Sequence, residues 1–427
     1  MAEKRRPYRR HTAATWAAAC LALLLAVLTG CGGPAREVTD RTAVQRALDA
    51  RAAAVRDHDE GAFLASVDPA ADGFRDRQRA TFANLRGVPL ADWRYRLVRT
   101  GAFPLPEAAG GGPRVAAEVR LRYRLAGYDT APVTAVQYLT LTRRDGRWRI
   151  TSDTDGALNG KRTARQLWDQ GRVRLVRGER SLVLGTGQPA ARLRELARRT
   201  DAAVPAVADA WPGRWSRKVV VEAPDSVRRM AELLGSSDDS AYTGIAAVTT
   251  GEAGASNRAP ADRVIVNPQA YGELSDLGRR IVLTHETAHV ATRAVTTPAT
   301  PLWLSEGFAD WTAYRTARRT PRAAAPELTR AVAAGRLPER LPTTADFGFD
   351  AGADRLNRAY EGAWLACRLI ADTWGESRLA SFYRAMATAP RGAAGLDRTM
   401  REELQVSTAE FTAKWRTYVQ QELGSAP

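Results

Sequence analysis

Two short phrases constrain this 427-residue chain more than anything else in it. The first is His285-Glu286-Thr287-Ala288-His289, set in a run with helical character. Residues four apart share one helical face, so both imidazoles must project the same way with a carboxylate beside them. The second is Trp303-Leu304-Ser305-Glu306-Gly307-Phe308-Ala309-Asp310-Trp311, which offers two more carboxylates one turn apart. The chain has four histidines in all, His11, His58, His285 and His289, so chance pairing at this spacing is rare. Burying these groups with no ion between them would need several further hydrogen-bond partners. The fold must therefore deliver a second helix to the face that carries the imidazoles.

That set suits zinc, which takes neutral imidazole nitrogens and an anionic oxygen and leaves one position open for water. His285 and His289 are the first two candidate ligands, and Glu306, 17 positions after His289, is the third. Asp310 suits a carboxylate that fixes a histidine tautomer. An exchange of roles between Glu306 and Asp310 stays open at this point. Glu286 is placed to take a proton from a metal-bound water as general base. Thr292 and Val295 stand where a third-histidine metzincin pattern would need Gly and His, which excludes that pattern.

With Trp303-Leu304-x-Glu306-Gly307-Phe308-Ala309, the motif resembles the gluzincin zinc metallopeptidases, the thermolysin and aminopeptidase-N superfamily. The resemblance runs over about residues 170–425 and is strong only at 281–311 and 358–372. It implies a two-lobe zinc protease, with a small sheet plus a helical lobe, acting on a peptide or protein substrate. It also implies that Tyr360, in Tyr360-Glu361-Gly362-Ala363, stabilises a tetrahedral oxyanion, although the glycine comes one place early. One phrase is missing. Aminopeptidases of that branch carry G-x-M-E-N, whose Glu holds a free amine. Here Thr250-Gly251-Glu252-Ala253-Gly254 has neither Met nor Asn, so exopeptidase specificity is unsupported. A strand at Ile245–Val248 or Val264–Val266 could pair with an extended peptide.

The start of the chain reads as a targeting segment over residues 1–30. Lys4, Arg5, Arg6, Arg9 and Arg10 precede an apolar Ala13–Leu28 run, short for a membrane span. Leu28-Thr29-Gly30-Cys31 resembles the lipobox of bacterial lipoproteins. That resemblance implies cleavage before Cys31, a lipid on its thiol, and a body anchored at the extracytoplasmic face of the cell membrane. Loss of residues 1–30 and acylation of Cys31 would leave only Cys367 of the three cysteines, so no internal disulfide is expected. Cys367 lies on an apolar helical face and reads as a buried, inert thiol. The formal charge is +16, almost all of it from Arg, with Lys only at 4, 161, 218 and 414. Such a balance can favour anionic headgroups or acidic polymers, yet it looks like base-composition bias. No nucleic-acid-binding motif appears, and export argues against that partner.

The expected fold class is α+β. After a tether at residues 31–37, residues 38–160 read as helices followed by an antiparallel meander. Val44, Leu48, Ala52 and Val55 recur at helical spacing, and His58 reads as a solvated helix-end residue. In Arg114–Leu125 the apolar residues alternate strictly with Glu118, Arg120, Arg122 and Arg124, which is the pattern of a half-buried strand. Trp93-Tyr95-Leu97 alternates likewise, and Asp145-Gly146 predicts a hairpin turn. In pattern alone this region is similar to the nuclear-transport-factor-2-like cone fold. Its arginine-bearing face reads as an ordinary wet surface. Residues 170–425 form the second domain. Two other readings of the whole remain: a catalytically latent zinc-binding scaffold lipoprotein, and a zinc hydrolase of a non-peptide bond.

Overall fold

The computed structural model describes residues 34–107, 112–250, 263–348 and 352–424. The expected targeting segment, Cys31 and Glu252 lie outside the described residues. Helix α1 (Pro34–Arg56) comes first, then α2 (Glu60–Ala65) and α3 (Asp72–Leu85). Val44, Leu48, Ala52 and Val55 of α1 are buried as their spacing predicts. His58 is exposed in a left-handed turn just past α1, with φ 56°.

Strands β1 (Leu90–Thr100), β2 (Arg114–Leu125), β3 (Val133–Arg144) and β4 (Arg147–Ser152) follow as an antiparallel meander in sequential order. β2 has the bounds that its alternation predicts. Asp145 and Gly146 both take positive φ, 51° and 74°, and close the β3–β4 hairpin with the twist such turns need. Trp93 opposes Tyr123 and Leu97 opposes Val119 on the inner face. The period of two sends Arg94, Arg96, Arg120, Arg122 and Arg124 to the other side, where all five are exposed.

Residues 161–170 are not a free linker. Ala164, Leu167 and Trp168 are buried, the last two in the short helix α4 (Leu167–Gln170). The Trp168 ring packs 5.7 Å from Trp93 and 5.1 Å from Tyr123. A second sheet then forms from β5 (Arg174–Arg177), β6 (Ser181–Gly185), β7 (Val219–Ala223), β8 (Ala247–Thr249) and β9 (Arg263–Val266). Its order is β5-β6-β7-β9-β8, parallel in the middle and antiparallel at both edges. Helix α5 (Ala190–Ala210) links β6 to β7, and α6 (Val227–Leu233) follows β7.

This sheet is covered on both faces, as unbroken Val/Ile/Leu runs require. Leu182, Leu184, Val220 and Ile265 join the core of the first region. Val183, Val219, Val221 and Val264 pack with Leu193, Leu196 and Val204 of α5. The remaining helices are α7 (Pro268–Glu273), α8 (Asp276–Thr292), α9 (Leu302–Tyr314), α10 (Pro321–Ala324), α11 (Pro326–Ala333), α12 (Ala353–Trp374), α13 (Glu376–Met386), α14 (Ala393–Leu404) and α15 (Thr408–Leu423). From α9 onward they build a helical lobe with its own core of Trp303, Phe308, Trp364, Phe382 and Trp415. The molecule is α+β, with an α-plus-meander region followed by a small sheet and a helical lobe. No helix among the described residues is long and apolar enough to cross a membrane.

Candidate metal centre

Helix α8 lies between the second sheet and the helical lobe. Ser275 caps it, accepting from the Gly278 N–H at 3.1 Å, and Asp276 sits favourably in the first turn. Leu283 packs toward the sheet, while Ala288 and Ala291 pack toward the helical lobe. The remaining face carries His285 and His289, with ring centroids 4.7 Å apart and Nε2 atoms 3.0 Å apart.

Helix α9 brings the carboxylates. Trp303, Leu304, Phe308 and Trp311 are buried, and this fixes the rotation of the helix about its axis. Gly307 lies so close to α12 that a methyl there would overlap the Ala363 carbonyl and press on Cys367 Sγ. Cys367 is fully buried, and burial pushes its thiol well up, so it is inert as expected. The Tyr383 hydroxyl spans α8 and α9, 3.4 Å from Thr292 Oγ1 and 3.5 Å from Ser305 Oγ.

Glu306 Oε2 thereby stands 3.4 Å from His285 Nε2 and 3.5 Å from His289 Nε2. The three donor atoms lie within 4.8 Å of one another. Donors about 2.0–2.2 Å from a tetrahedral zinc are about 3.4 Å from each other, so the triad fits one such ion. Asp310 Oδ1 lies 2.8 Å from His285 Nδ1, on the far side of the ring from Glu306. A proton on Nδ1 directed at Asp310 leaves Nε2 free to bind. Glu306 faces both Nε2 atoms, and Asp310 faces one Nδ1.

The electrostatics favour a cation. Burial pulls His285 toward its neutral form, but the Asp310 charge and hydrogen bond, with help from Glu306, hold it up at about 10. Burial pushes Glu306 up, and the His289 and His285 rings outweigh it, holding that carboxyl near 2. Positive charge is thus stabilised at the point where three donors converge.

Glu286 is buried next to His285, and its Oε2 accepts from Thr249 Oγ1 at 2.7 Å. Thr249 ends β8, the edge strand of the second sheet. Sequence reasoning missed it, since nothing marks one threonine 37 positions upstream. Tyr360 sits on α12 with its ring 6.4 Å from that of His285, braced edge-on by Phe347 at 5.2 Å. Its neighbour Glu361 turns to the start of α11 and accepts from the Glu327 N–H at 3.1 Å. Burial pushes Glu361 up to about 7.

Some of these groups line a cleft of about 430 Å³ between β8 and α12. His285, Glu286, Asp310 and Tyr360 form one wall, and Ala246 and Ala247 lead into it from the edge strand. No family model matches the sequence, and no curated protein matches it significantly. Two solved structures are similar at low identity. One is a mutant two-domain M1 zinc metallopeptidase bound to L-arginine, 14% identical over 65% of this chain and 58% of that chain, with TM-score 0.33. The other is a mutant M1 zinc metallopeptidase from Deinococcus radiodurans bound to a Tyr-Ser-Ala substrate, 12% identical over 78% of this chain and 62% of that chain, with TM-score 0.35. The chain spans about three fifths of the length of these structures.

Proposed function

We propose that this chain is a zinc metallopeptidase, exported and held by a lipid on Cys31 at the extracytoplasmic face of a bacterial membrane. The observation that carries the reading is the triangle of His285 Nε2, His289 Nε2 and Glu306 Oε2, with sides of 3.0, 3.4 and 3.5 Å. The export and lipid parts rest on the sequence around Leu28-Thr29-Gly30-Cys31.

Zinc, when bound there, supplies a Lewis acid that acidifies water and polarises a carbonyl. The chain's own groups do the rest. Asp310 holds the His285 tautomer. Glu286 takes the proton from the attacking water and passes it to the leaving amine, and Thr249 fixes the carboxylate's direction. Tyr360 donates to the developing oxyanion. An extended peptide or protein segment runs beside Ala246–Ala247 and adds to the β8 edge.

The test joins metal analysis to cleavage of a peptide library by wild type and Glu286→Gln. One zinc per chain and a rate loss of about 10²–10⁴-fold with zinc retained is the expected result. A zinc-loaded wild type inert on every peptide would instead support a latent scaffold or a non-peptide hydrolase. Absence of zinc would end both readings.

A further inference from the structure

The outer face of the first sheet carries an arginine ladder. Arg94 stands directly opposite Arg122, and Arg96 opposite Arg120, on neighbouring strands, with Arg124 next along β2. Opposed positions of an antiparallel pair lie about 4.5–5.5 Å apart, and like charges there are destabilising. Arg94 alone has a carboxylate partner, Asp92 at 2.8 Å. Arg96, Arg120, Arg122 and Arg124 have no hydrogen bond, ion pair or ring contact among the described residues. Some other arginines do pair with acids, Arg99 with Glu118, Arg315 with Glu376, and Arg368 with Glu422. The acids on this face are Asp92, which also stands opposite Arg124, and Glu118, which is taken up by Arg99.

The five arginines of the ladder are all exposed. The inner face of the same sheet carries α1 and the rest of the molecule. The rings on this face, Phe103 and Tyr138, are buried against each other, so among the described residues none is free beside the arginines to stack a base. A plane of anionic groups does suit this face.

We infer that this face is a docking surface for anionic phospholipid headgroups, which bring phosphate to the otherwise self-repelling guanidinium groups. The inference rests on the membrane-anchored reading above. There the anchor precedes α1, which packs on the inner face of the same sheet, by only a few residues in the sequence. The lipid would hold the chain at the membrane, and the ladder would set which way it faces.

The experiment is co-sedimentation of the full chain with vesicles of neutral phosphatidylcholine, and with vesicles containing about one third phosphatidylglycerol. Three chains are compared: wild type, the Arg96→Gln/Arg120→Gln/Arg122→Gln/Arg124→Gln variant, and a charge-matched control changed at exposed Arg194, Arg198, Arg391 and Arg398. The anchor acts on both vesicle types alike, so failure of the anchor shows as loss of binding to neutral vesicles. The ladder is read from the excess on anionic ones. At about fivefold per arginine near the surface, that excess should fall by about a hundredfold or more in the ladder variant and little in the control. High salt should abolish it. Equal partition of wild type between the two vesicles, or an equal loss in both variants, would overturn the inference. So would binding to soluble polyphosphate without binding to anionic vesicles. The ladder variant should also unfold at equal or higher urea than wild type, because relief of repulsion is a signature that a merely structural role would not give.

Discussion

Two of the buried ionic clusters among the described residues differ in whether they reach a cleft. In the first, Arg263 of β9 is fully buried and reaches Asp129, in the β2–β3 connection, through two hydrogen bonds of 2.8 Å. Glu222 of β7 lies 3.8 Å from it, and the Tyr123 ring faces the guanidinium at 5.9 Å. In the second, His285, His289, Glu306 and Asp310 converge, with His285 and Asp310 lining the cleft. The first cluster contains its own permanent cation, held in a forked pair that leaves no room for another. The second gathers donors with no permanent cation and keeps one side toward solvent. Burial and charge alone do not mark a reactive site. Donor atoms that converge beside a cleft, with no side-chain cation among them, mark a candidate one.

The comparison can be broken from either side. The largest expected effect is at the closed cluster. Arg263→Met would strand the Asp129 carboxylate and should cost about 3–5 kcal/mol in urea unfolding. Zinc stoichiometry, measured on the folded fraction, should not change. Loss of zinc in that variant would mean that the clusters are coupled. A smaller effect is expected at the open one. Asp310→Asn keeps the ligands but loosens the His285 tautomer, and should weaken zinc about 10–100-fold in chelator competition while leaving unfolding of the zinc-free protein nearly unchanged.

The smallest effect is a pH signature. Burial pushes Glu222 up from 4.5 to about 7, against the pull of Arg263 and with a push from Asp129. The folded state therefore keeps a proton that the unfolded chain releases at the lower value. This contribution to stability is whole below about pH 4.5 and is lost as pH rises through about 7. Unfolding of Glu222→Gln should show a flatter pH dependence across that window. An unchanged slope would show that Glu222 is ionised throughout.

What could be read in advance differs sharply between the two clusters. His285, Glu286, His289 and Glu306 sit in two phrases 17 positions apart, and helical periodicity alone aligns the imidazoles. β2 was legible to its ends because arginines alternate with Val, Leu and Tyr. Asp129 and Arg263 are 134 positions apart, and no local pattern joins them. Thr249 escaped for the same reason, since its role exists only once β8 is laid beside α8. The order of the second sheet was likewise hidden. β9 inserts between β7 and β8, a choice made by packing rather than by any single run of residues.

The core shared by the two sheets has a consequence for how the protein is made and kept. Leu182, Leu184, Val220 and Ile265 meet Trp93, Tyr123 and Leu125 in one continuous apolar mass. A protease that removed residues up to 160 would bare a greasy sheet face and strand Arg263 without its acid partner. Removing the front portion would therefore take away part of the core on which the second sheet rests.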